Sequence, residues 1–202
     1  MPNTADIQPI SLKTTVCGNC NQRTCCYHYR VTMTGYDVWR IAKTLDLTSS
    51  RFVTYAKAIQ GNDETFVLDQ SGERYELVLQ KTIDERRYGG CTFLVSTNDG
   101  AHRCGLGELR PCQCTIYPAY CEDGIVHVIN DPQGCWRVWS VCDLEIEEEY
   151  QRSQEYESQK MEYQEVLASW NQRVWSKTNR QFNFSDFCNH LENQYAILYA
   201  DS

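Results

Sequence analysis

The sequence predicts an α+β fold, in which a small cysteine-rich core of short strands and a helical hairpin precedes a helical C-terminal extension. Eleven of the twelve cysteines lie before residue 143 of the 202-residue chain. Short apolar segments separated by turn residues fill the same region, which is typical of short strands. Beyond it the chain becomes charged, with helical spacing of its apolar residues. We therefore expect a core over residues 10–142 and a helical extension over residues 143–202 that packs on it.

The first part of the predicted core contains a strand and two helices. Residues 27–32 have the composition of a short strand. Thr34 is a predicted helix N-cap with Asp37 at the third helical position. The helix then carries an apolar stripe with helical spacing at Val38, Ile41, Ala42 and Leu45. Residues 48–50 cap a second short helix, which completes the helical hairpin with Phe52, Val53 and Ala56.

The later segments predict short strands and then helices. Residues 66–68 and 75–80 flank a turn and predict a β-hairpin, and residues 91–95 predict another strand. A second hairpin is expected at the turn Glu122-Asp123-Gly124. Helices are expected from Leu144 to about Trp175 and over residues 184–199. The helices are expected to pack on the core through Tyr150, Tyr156, Tyr163 and Trp170.

Composition argues against several classes of protein. No stretch comes near the roughly 18 consecutive apolar residues of a membrane span, so we expect none. Residues 1–12 lack the basic and then apolar run of a signal peptide. We therefore expect a cytoplasmic protein, whose thiols stay reduced. No basic stripe of the kind that binds nucleic acid is present, so we expect no nucleic-acid partner.

The net charge of −8 is concentrated in one segment. Between Asp143 and Glu165, nine acidic residues face only Arg152 and Lys160, a local balance of −7. This acidic helix offers a docking surface for a basic protein partner. The alternative is a solvated helix face. It is the commoner role of such a charge pattern, so it is favoured over the docking surface.

Two cysteine patches dominate the chain. In a cytoplasmic protein, so many thiols favour metal ligation over disulfides, because the compartment keeps thiols from pairing. Thiolates are soft ligands that suit zinc or iron–sulfur centres. The spacing of Cys17 and Cys20 lets a tight turn present two sulfurs to one metal. We therefore expect a metal-stapled core built from Cys17, Cys20, Cys25 and Cys26 in the first patch and from Cys91, Cys104 and Cys114 in the second.

The supply of thiols exceeds the needs of one simple site. A structural zinc and a cubane cluster each take four cysteines. Either two centres exist, or some cysteines support the site or pack in the interior. Free cysteine packs as a small apolar residue, which is the role favoured for the remote Cys142 and Cys188. The roles of Cys112 and Cys121 stay open.

Three other side chains near the thiols are candidates for supporting roles. His28 and His102 each lie two residues from a cysteine of the patches. Either could complete a mixed site, but a supporting or exposed role is favoured because thiols already abound. Arg110 is expected to donate hydrogen bonds near the thiolates, and a surface salt bridge is nearly as well supported.

Three blocks within residues 15–140 resemble a known family. The first block is the first cysteine patch. The second comprises residues 31–34, Asp37, residues 40–42, Leu45 and Phe52. The third comprises Gly90, Cys91, Phe93, Leu94, Cys104, Arg110, Pro111, Cys114, Tyr117 and Pro118. In these blocks the chain is similar to the cysteine-cluster family named for its CxxCxxCC signature, whose members are described as zinc- or iron-chelating domains and include the flagellin lysine N-methylases.

The resemblance implies metal binding. Gly134 and Cys135 are similar to the late glycine and cysteine of the family, so eight residues have a claim to the site: Cys17, Cys20, Cys25, Cys26, Cys91, Cys104, Cys114 and Cys135. Methyl transfer is not carried over. The chain lacks a glycine-rich strand-to-helix turn for a nucleotide-like cofactor, and the residues beyond the core leave no room for a separate methyltransferase domain.

Three functions follow, in order of preference. Side chains of vicinal residues such as Cys25 and Cys26 tend to diverge, so a polynuclear centre suits them better than one zinc. We therefore expect an iron–sulfur protein with a [4Fe–4S] cluster, serving electron transfer or protein maturation. The first alternative is a structural zinc domain that acts as an interaction module. The second is a metal-dependent enzyme that modifies protein side chains, which would need an open metal position.

Overall fold

The computed structural model describes residues 16–17, 20, 22–84, 87–177 and 180–200. Helices and antiparallel strand pairs both occur in these segments, as the α+β class requires. The predicted start of the core at residue 10 lies outside the described residues. So do residues 1–12, in which no signal peptide is expected.

The first patch leads into a short helix, α1 (Thr24–His28), and the predicted strand over residues 27–32 is wrong at this point. Only its end is extended. Thr32 forms an isolated bridge to Val78, and the Met33 amide donates to the Leu77 carbonyl at 2.9 Å. The strand prediction relied on composition alone, and composition is a weak guide where a segment packs against other elements.

Helix α2 (Gly35–Leu45) confirms the first predicted helix. The Asp37 amide donates to Thr34 Oγ1 at 3.1 Å, which is the expected N-cap bond. Val38 and Ile41 are buried on the inner face.

The predicted second helix is wrong, and so is the helical hairpin. After a 3-10 turn at Ser49–Arg51, the chain forms strand β1 (Val53–Lys57). Its β-branched Val53 and Thr54, followed by Tyr55, favour a strand. This preference, together with pairing to a neighbouring strand, outweighs the helical spacing of Phe52, Val53 and Ala56 on which the prediction rested.

The strands form four antiparallel pairs. Strand β1 pairs with β2 (Tyr75–Leu79), and β3 (Lys81–Asp84) pairs with β4 (Arg87–Cys91). Strand β5 (Leu94–Ser96) pairs with β6 (His102–Cys104), and β7 (Ala119–Glu122) pairs with β8 (Ile125–Val128). The β7–β8 hairpin confirms the turn predicted at residues 122–124.

Two strand predictions need correction. The predicted hairpin of residues 66–68 with residues 75–80 reduces to a single bridge between Phe66 and Tyr75, since β2 takes β1 as its partner. The predicted strand over residues 91–95 is divided, because Cys91 ends β4 and Leu94 begins β5.

The described residues beyond β6 form three further α-helices. Helix α3 (Cys112–Ile116) is a short helix that precedes β7 and carries Cys114 of the second cysteine patch. The long helix α4 (Ile146–Ser176) and helix α5 (Phe184–Leu198) confirm the two helices predicted for the C-terminal part. In the described part of the chain, none of the helices is both long enough and apolar enough to cross a membrane.

The buried side chains form two clusters. The larger, which we call the main core, joins both sides of residue 142: Ile41, Phe52 and Phe66 pack with Tyr163 and Trp170 of α4. Tyr150, by contrast, is 41 % exposed and does not anchor the helix. The smaller cluster, which we call the small core, consists of Ile116, Ala119, Val126, Trp139 and Leu144, with Tyr156 packed against it.

Candidate metal centre

One cavity of about 610 Å³ has side chains of both cores in its wall. Leu79 and Leu106 come from the main core, and Ile116, Ala119 and Trp139 come from the small core. All eight cysteines named from the sequence line this cavity, and a ninth joins them. The nine are Cys17, Cys20, Cys25, Cys26, Cys91, Cys104, Cys114, Cys121 and Cys135.

The first patch is folded by a tight turn and a buried arginine. The Cys20 amide donates to the Cys17 carbonyl at 3.4 Å, and the Arg23 amide donates to Cys20 Sγ at 3.4 Å. Arg23 is in the left-handed conformation with φ of 48°, and it is only 8 % exposed. Its Nε donates to the carbonyl of His102 at 3.4 Å. This bond joins the first patch to β6, the strand that carries Cys104.

The second patch presents its thiols from the ends of two strands and from a helix. Cys91 is the last residue of β4, Cys104 is the last residue of β6, and Cys114 lies in α3. Helix α1 packs on β4, which brings Cys25 and Cys26 toward Cys91. The sequence therefore places thiols from four separate elements in one wall.

A buried ion pair fixes α3 against α2. Asp37 is fully buried, and both of its carboxylate oxygens accept from the Cys112 amide at 3.2 Å. Arg40 Nη2 donates to Asp37 Oδ1 at 3.0 Å and also to the Arg110 carbonyl. Burial raises the pKa of Asp37, and Arg40 and the Cys112 amide oppose that rise. Asp37 and Arg40 thus position the turn that carries Cys114.

Two glycines allow the patches to approach each other. A Cβ on Gly90 would lie 2.7 Å from Leu94 Cδ2 and 3.1 Å from Tyr27 Cε1. A Cβ on Gly134 would lie 2.0 Å from the Tyr29 ring, and the Gly134 carbonyl accepts from Thr24 Oγ1 at 2.8 Å. Since each glycine directly precedes a wall cysteine, the aromatic residues around α1 can pack there only if no side chain intervenes.

The surroundings raise the pKa of three wall thiols, those of Cys114, Cys91 and Cys25. Burial raises the pKa of Cys114 well above its ordinary value, and the neighbouring Cys91, Cys25 and Cys104 add to the rise. Burial likewise raises the pKa of Cys91 to about 11. For Cys25, a hydrogen bond with Cys26 is the largest cause of a raised pKa, followed by burial. The mutual influence of these thiols shows that they lie close together in the wall.

Lys81 is a cation beside these thiols that sequence reasoning missed. It lies directly opposite Cys91 in the β3–β4 pair, and its Nζ donates to the Tyr27 carbonyl. Burial lowers the pKa of Lys81, while Cys91, Cys26 and Cys25 oppose that change. No motif marked this lysine, and only the pairing of β3 with β4 brings it to the site.

The four remaining cysteines, whose predicted role was open or a packing role, lie in different surroundings. Cys121, which the spacing left open, points inward on β7 with Ala119 and belongs to the wall. Cys112, also left open, lies outside the wall and its Sγ donates to Gln159 Oε1 at 3.0 Å. Cys188 is buried in the main core, as the packing role predicted. Cys142 is exposed, so the packing role is wrong for it.

The candidate supporting side chains have different positions. His28 is exposed, and His102 packs edge-on against Tyr27 with ring centroids 6.0 Å apart. Neither histidine lines the cavity. Arg110 does line it, with its Nε donating to the Gly107 carbonyl at 3.1 Å.

Aromatic residues of the cavity wall, among them Tyr29, Tyr117 and Trp139, carry polar atoms. The Tyr29 hydroxyl donates to the Tyr117 hydroxyl at 3.3 Å, and burial raises the pKa of both groups. Trp139 lines the cavity and is 2 % exposed, and its indole Nε1 has no hydrogen-bond partner among the described residues. A buried N–H of this kind is costly unless an acceptor satisfies it.

The nine thiols surround the cavity without converging on a point. Within the segments that the structure describes, no three or more His, Cys, Asp or Glu side chains form a group that could hold a metal ion as they stand. One ion bound by three of the thiols would therefore require side-chain movement. The chemistry of the donor set nevertheless suits a soft metal, because nine half-buried cysteines line one cavity.

No protein-family model matches the chain, and no curated protein or solved structure matches it.

Proposed function

We propose that this chain is a metal-binding cysteine-cluster protein whose cavity holds a [4Fe–4S] centre. The observation that carries the proposal is the presence of nine thiols from both patches in the wall of one cavity. A cubane usually takes one cysteine for each of its four irons. Such a centre supplies one-electron transfer, and we propose electron transfer or protein maturation in the cytoplasm as its use. The resemblance to the CxxCxxCC family adds support.

Four of the thiols are the proposed ligands. Cys91, Cys25 and Cys104 each add to the raised pKa of Cys114, so each of these three thiols lies near Cys114. The four thiols come from α1, β4, β6 and α3, and so can approach a polynuclear centre from different sides. Cys26 would be a neighbour of the centre and not one of its ligands. The Lys81 ammonium would offset part of the thiolate charge.

A structural zinc site is the second candidate. The observation that favours it is the turn in which the Cys20 amide donates to the Cys17 carbonyl, because two cysteines in such a turn commonly form half of a tetrahedral site. Zinc would then stabilise an interaction module. A protein partner at the acidic face of α4 would suit either candidate, since nine acids lie between Asp143 and Glu165.

The experiment is metal and sulfide analysis of protein purified without oxygen. A brown protein with iron, acid-labile sulfide and broad visible absorbance supports the cluster. Colourless protein with stoichiometric zinc would reject the cluster in favour of zinc.

Single substitutions then test the ligands. We expect Cys91→Ser and Cys114→Ser to lose most of the metal, because folding and metal binding are coupled. Cys142→Ser is the matched control, since that thiol is exposed and lies outside the cavity wall. Equal metal content in all three variants would show that the wall thiols are not ligands.

A further inference from the structure

The cavity reaches the surface along one side of the β7–β8 hairpin and the loop after it. Among the residues there that line the cavity and are wholly or partly open to solvent, five are polar or apolar side chains other than cysteine: Tyr120, Asp123, Ile129, Asp131 and Trp136. We call these five residues the rim. Trp136 is 62 % exposed, so it presents a large apolar surface to solvent.

The exposed face of the hairpin extends the rim. Because side chains alternate along a strand, Ala119 and Val126 point into the small core and their neighbours point outward. Tyr120 stacks on His127 with ring centroids 5.1 Å apart. Beside them, Glu122 lies opposite Ile125, which is 60 % exposed. Apolar and acidic side chains therefore alternate next to the mouth of the cavity.

The charge of this surface has one sign. Residues 119–136 contain Glu122, Asp123 and Asp131 but no lysine or arginine. Among the residues that the structure describes, none of these three carboxylates forms an ion pair with a cation.

The cations of the cavity wall do not cancel this charge. Arg23 is buried. Arg30 is paired with Glu76 at 2.6 Å, and Arg110 is half-buried. The acidic rim is thus left to face solvent.

We propose that the rim, with Glu122 and Ile125 beside it, is the docking surface for a protein partner whose contact face combines lysine or arginine with apolar side chains. The charge of the rim selects a basic partner, since complementary charges steer encounter and suppress wrong partners. Trp136 and Tyr120 supply the aromatic contacts that are enriched in interfaces. This inference rests on the proposed function, because the partner would meet the thiol-lined cavity at its opening.

The test uses a small basic c-type cytochrome as the probe and an acidic cytochrome of similar size as its counterpart. Binding to the full chain is measured by titration calorimetry at low and high ionic strength, and contacts are mapped by NMR chemical-shift changes. We expect saturable, salt-sensitive binding of the basic probe, with shift changes confined to residues near the rim.

Two variants with the same loss of charge separate the rim from general acidity. The rim variant combines Glu122→Gln, Asp123→Asn and Asp131→Asn. The matched control combines Asp46→Asn, Asp63→Asn and Asp69→Asn, which are exposed residues outside the cavity wall. We expect the rim variant to bind the basic probe roughly tenfold more weakly and the control to bind nearly as well as the parent chain.

The aromatic contribution has its own pair of variants. Trp136→Ala is expected to weaken binding several-fold, whereas Trp175→Ala, which removes an exposed tryptophan at the end of α4, is expected to leave binding unchanged. Equal weakening by both changes would count against the rim.

The docking inference is overturned if the rim and control triple variants bind alike, or if the acidic probe binds as tightly as the basic one. The proposed centre is judged separately, from iron and sulfide in the same preparations. Protein with a cluster but no preference for the rim refutes the docking surface alone. Protein without iron or sulfide refutes the proposed [4Fe–4S] centre whatever the probe does.

Discussion

Lys81 places a positive charge beside three wall thiols, and its effect can be isolated. Removing the charge with Lys81→Met should make a bound cluster harder to reduce and lower its reduction potential by on the order of 50 mV, since net charge helps to set such potentials. Lys81→Arg keeps the charge and should change the potential little. The measurement is a redox titration of the loaded protein, followed by its visible absorbance.

A lysine remote from the thiols gives the comparison. Lys43 stacks on Trp39 at 4.7 Å and does not line the cavity, so Lys43→Met should leave the potential in place. A shift of the same size in Lys81→Met and Lys43→Met would mean that Lys81 has no particular influence on the centre.

Asp37 links α2 to α3 through one carboxylate, so removing that carboxylate should lower the free energy of unfolding. Asp37→Ala leaves the Cys112 amide without its acceptor and Arg40 without its ion pair, so we expect a loss of about 3 kcal/mol in the free energy of unfolding. Urea unfolding of metal-free protein measures the change. The exposed Asp63→Ala should unfold like the parent chain, and similar midpoints for both variants would contradict the role of Asp37.

At the scale of elements, the contact between α1 and the loop before Cys135 depends on the bare backbone at Gly134. A methyl group there would overlap the Tyr29 ring, so Gly134→Ala should lower the free energy of unfolding by about 1–3 kcal/mol. The same change should reduce metal content, because Tyr29 follows α1 and its thiols. Both effects are measured by urea unfolding and metal analysis.

Shortening the partner side chain should relieve this clash. In Tyr29→Ala the space beside Gly134 is open, so adding Gly134→Ala should cost little further stability. The two changes are then strongly non-additive, as expected for residues in contact. Additive losses would show that the glycine is not required by the tyrosine.

The sequence predicted elements well where a long pattern or a cap defined them. Helix α2 follows from Thr34 and its apolar stripe, and α4 follows from a long charged segment with helical spacing. Short segments were less predictable. Phe52, Val53 and Ala56 fit a helical spacing, and only the pairing of β1 with β2 shows that this segment is a strand.

The composition of the cavity wall was accessible from sequence, but its supports were not. Eight wall cysteines were identified from their spacing and from the resemblance. Cys121 lies close to the predicted ligands along the sequence, and spacing alone left its role open. Lys81 comes beside the thiols through the pairing of β3 with β4, and Trp139 reaches the wall through tertiary packing, so neither leaves a local pattern to read.

At the scale of the whole molecule, metal binding should be strongly coupled to pH. The raised pKa values of Cys91 and Cys114 mean that these thiols are protonated near pH 7, so a metal must displace their protons. Affinity should therefore rise with pH, by about tenfold per pH unit for each thiol that loses a proton on binding. Cobalt titrations at stepped pH, with zinc competition, measure this dependence, and a flat profile would mean that these thiols do not bind the metal.

The cavity wall draws on widely separated parts of the chain, from Val16 to Glu157. During synthesis, the first patch emerges long before the residues that complete the enclosure. The wall is complete only after α3, the β7–β8 hairpin and the first half of α4 have been synthesised. A centre of the proposed kind would therefore be inserted late in the synthesis of the chain, and the early thiols pass through an interval in which they are open to oxidants and to competing metals.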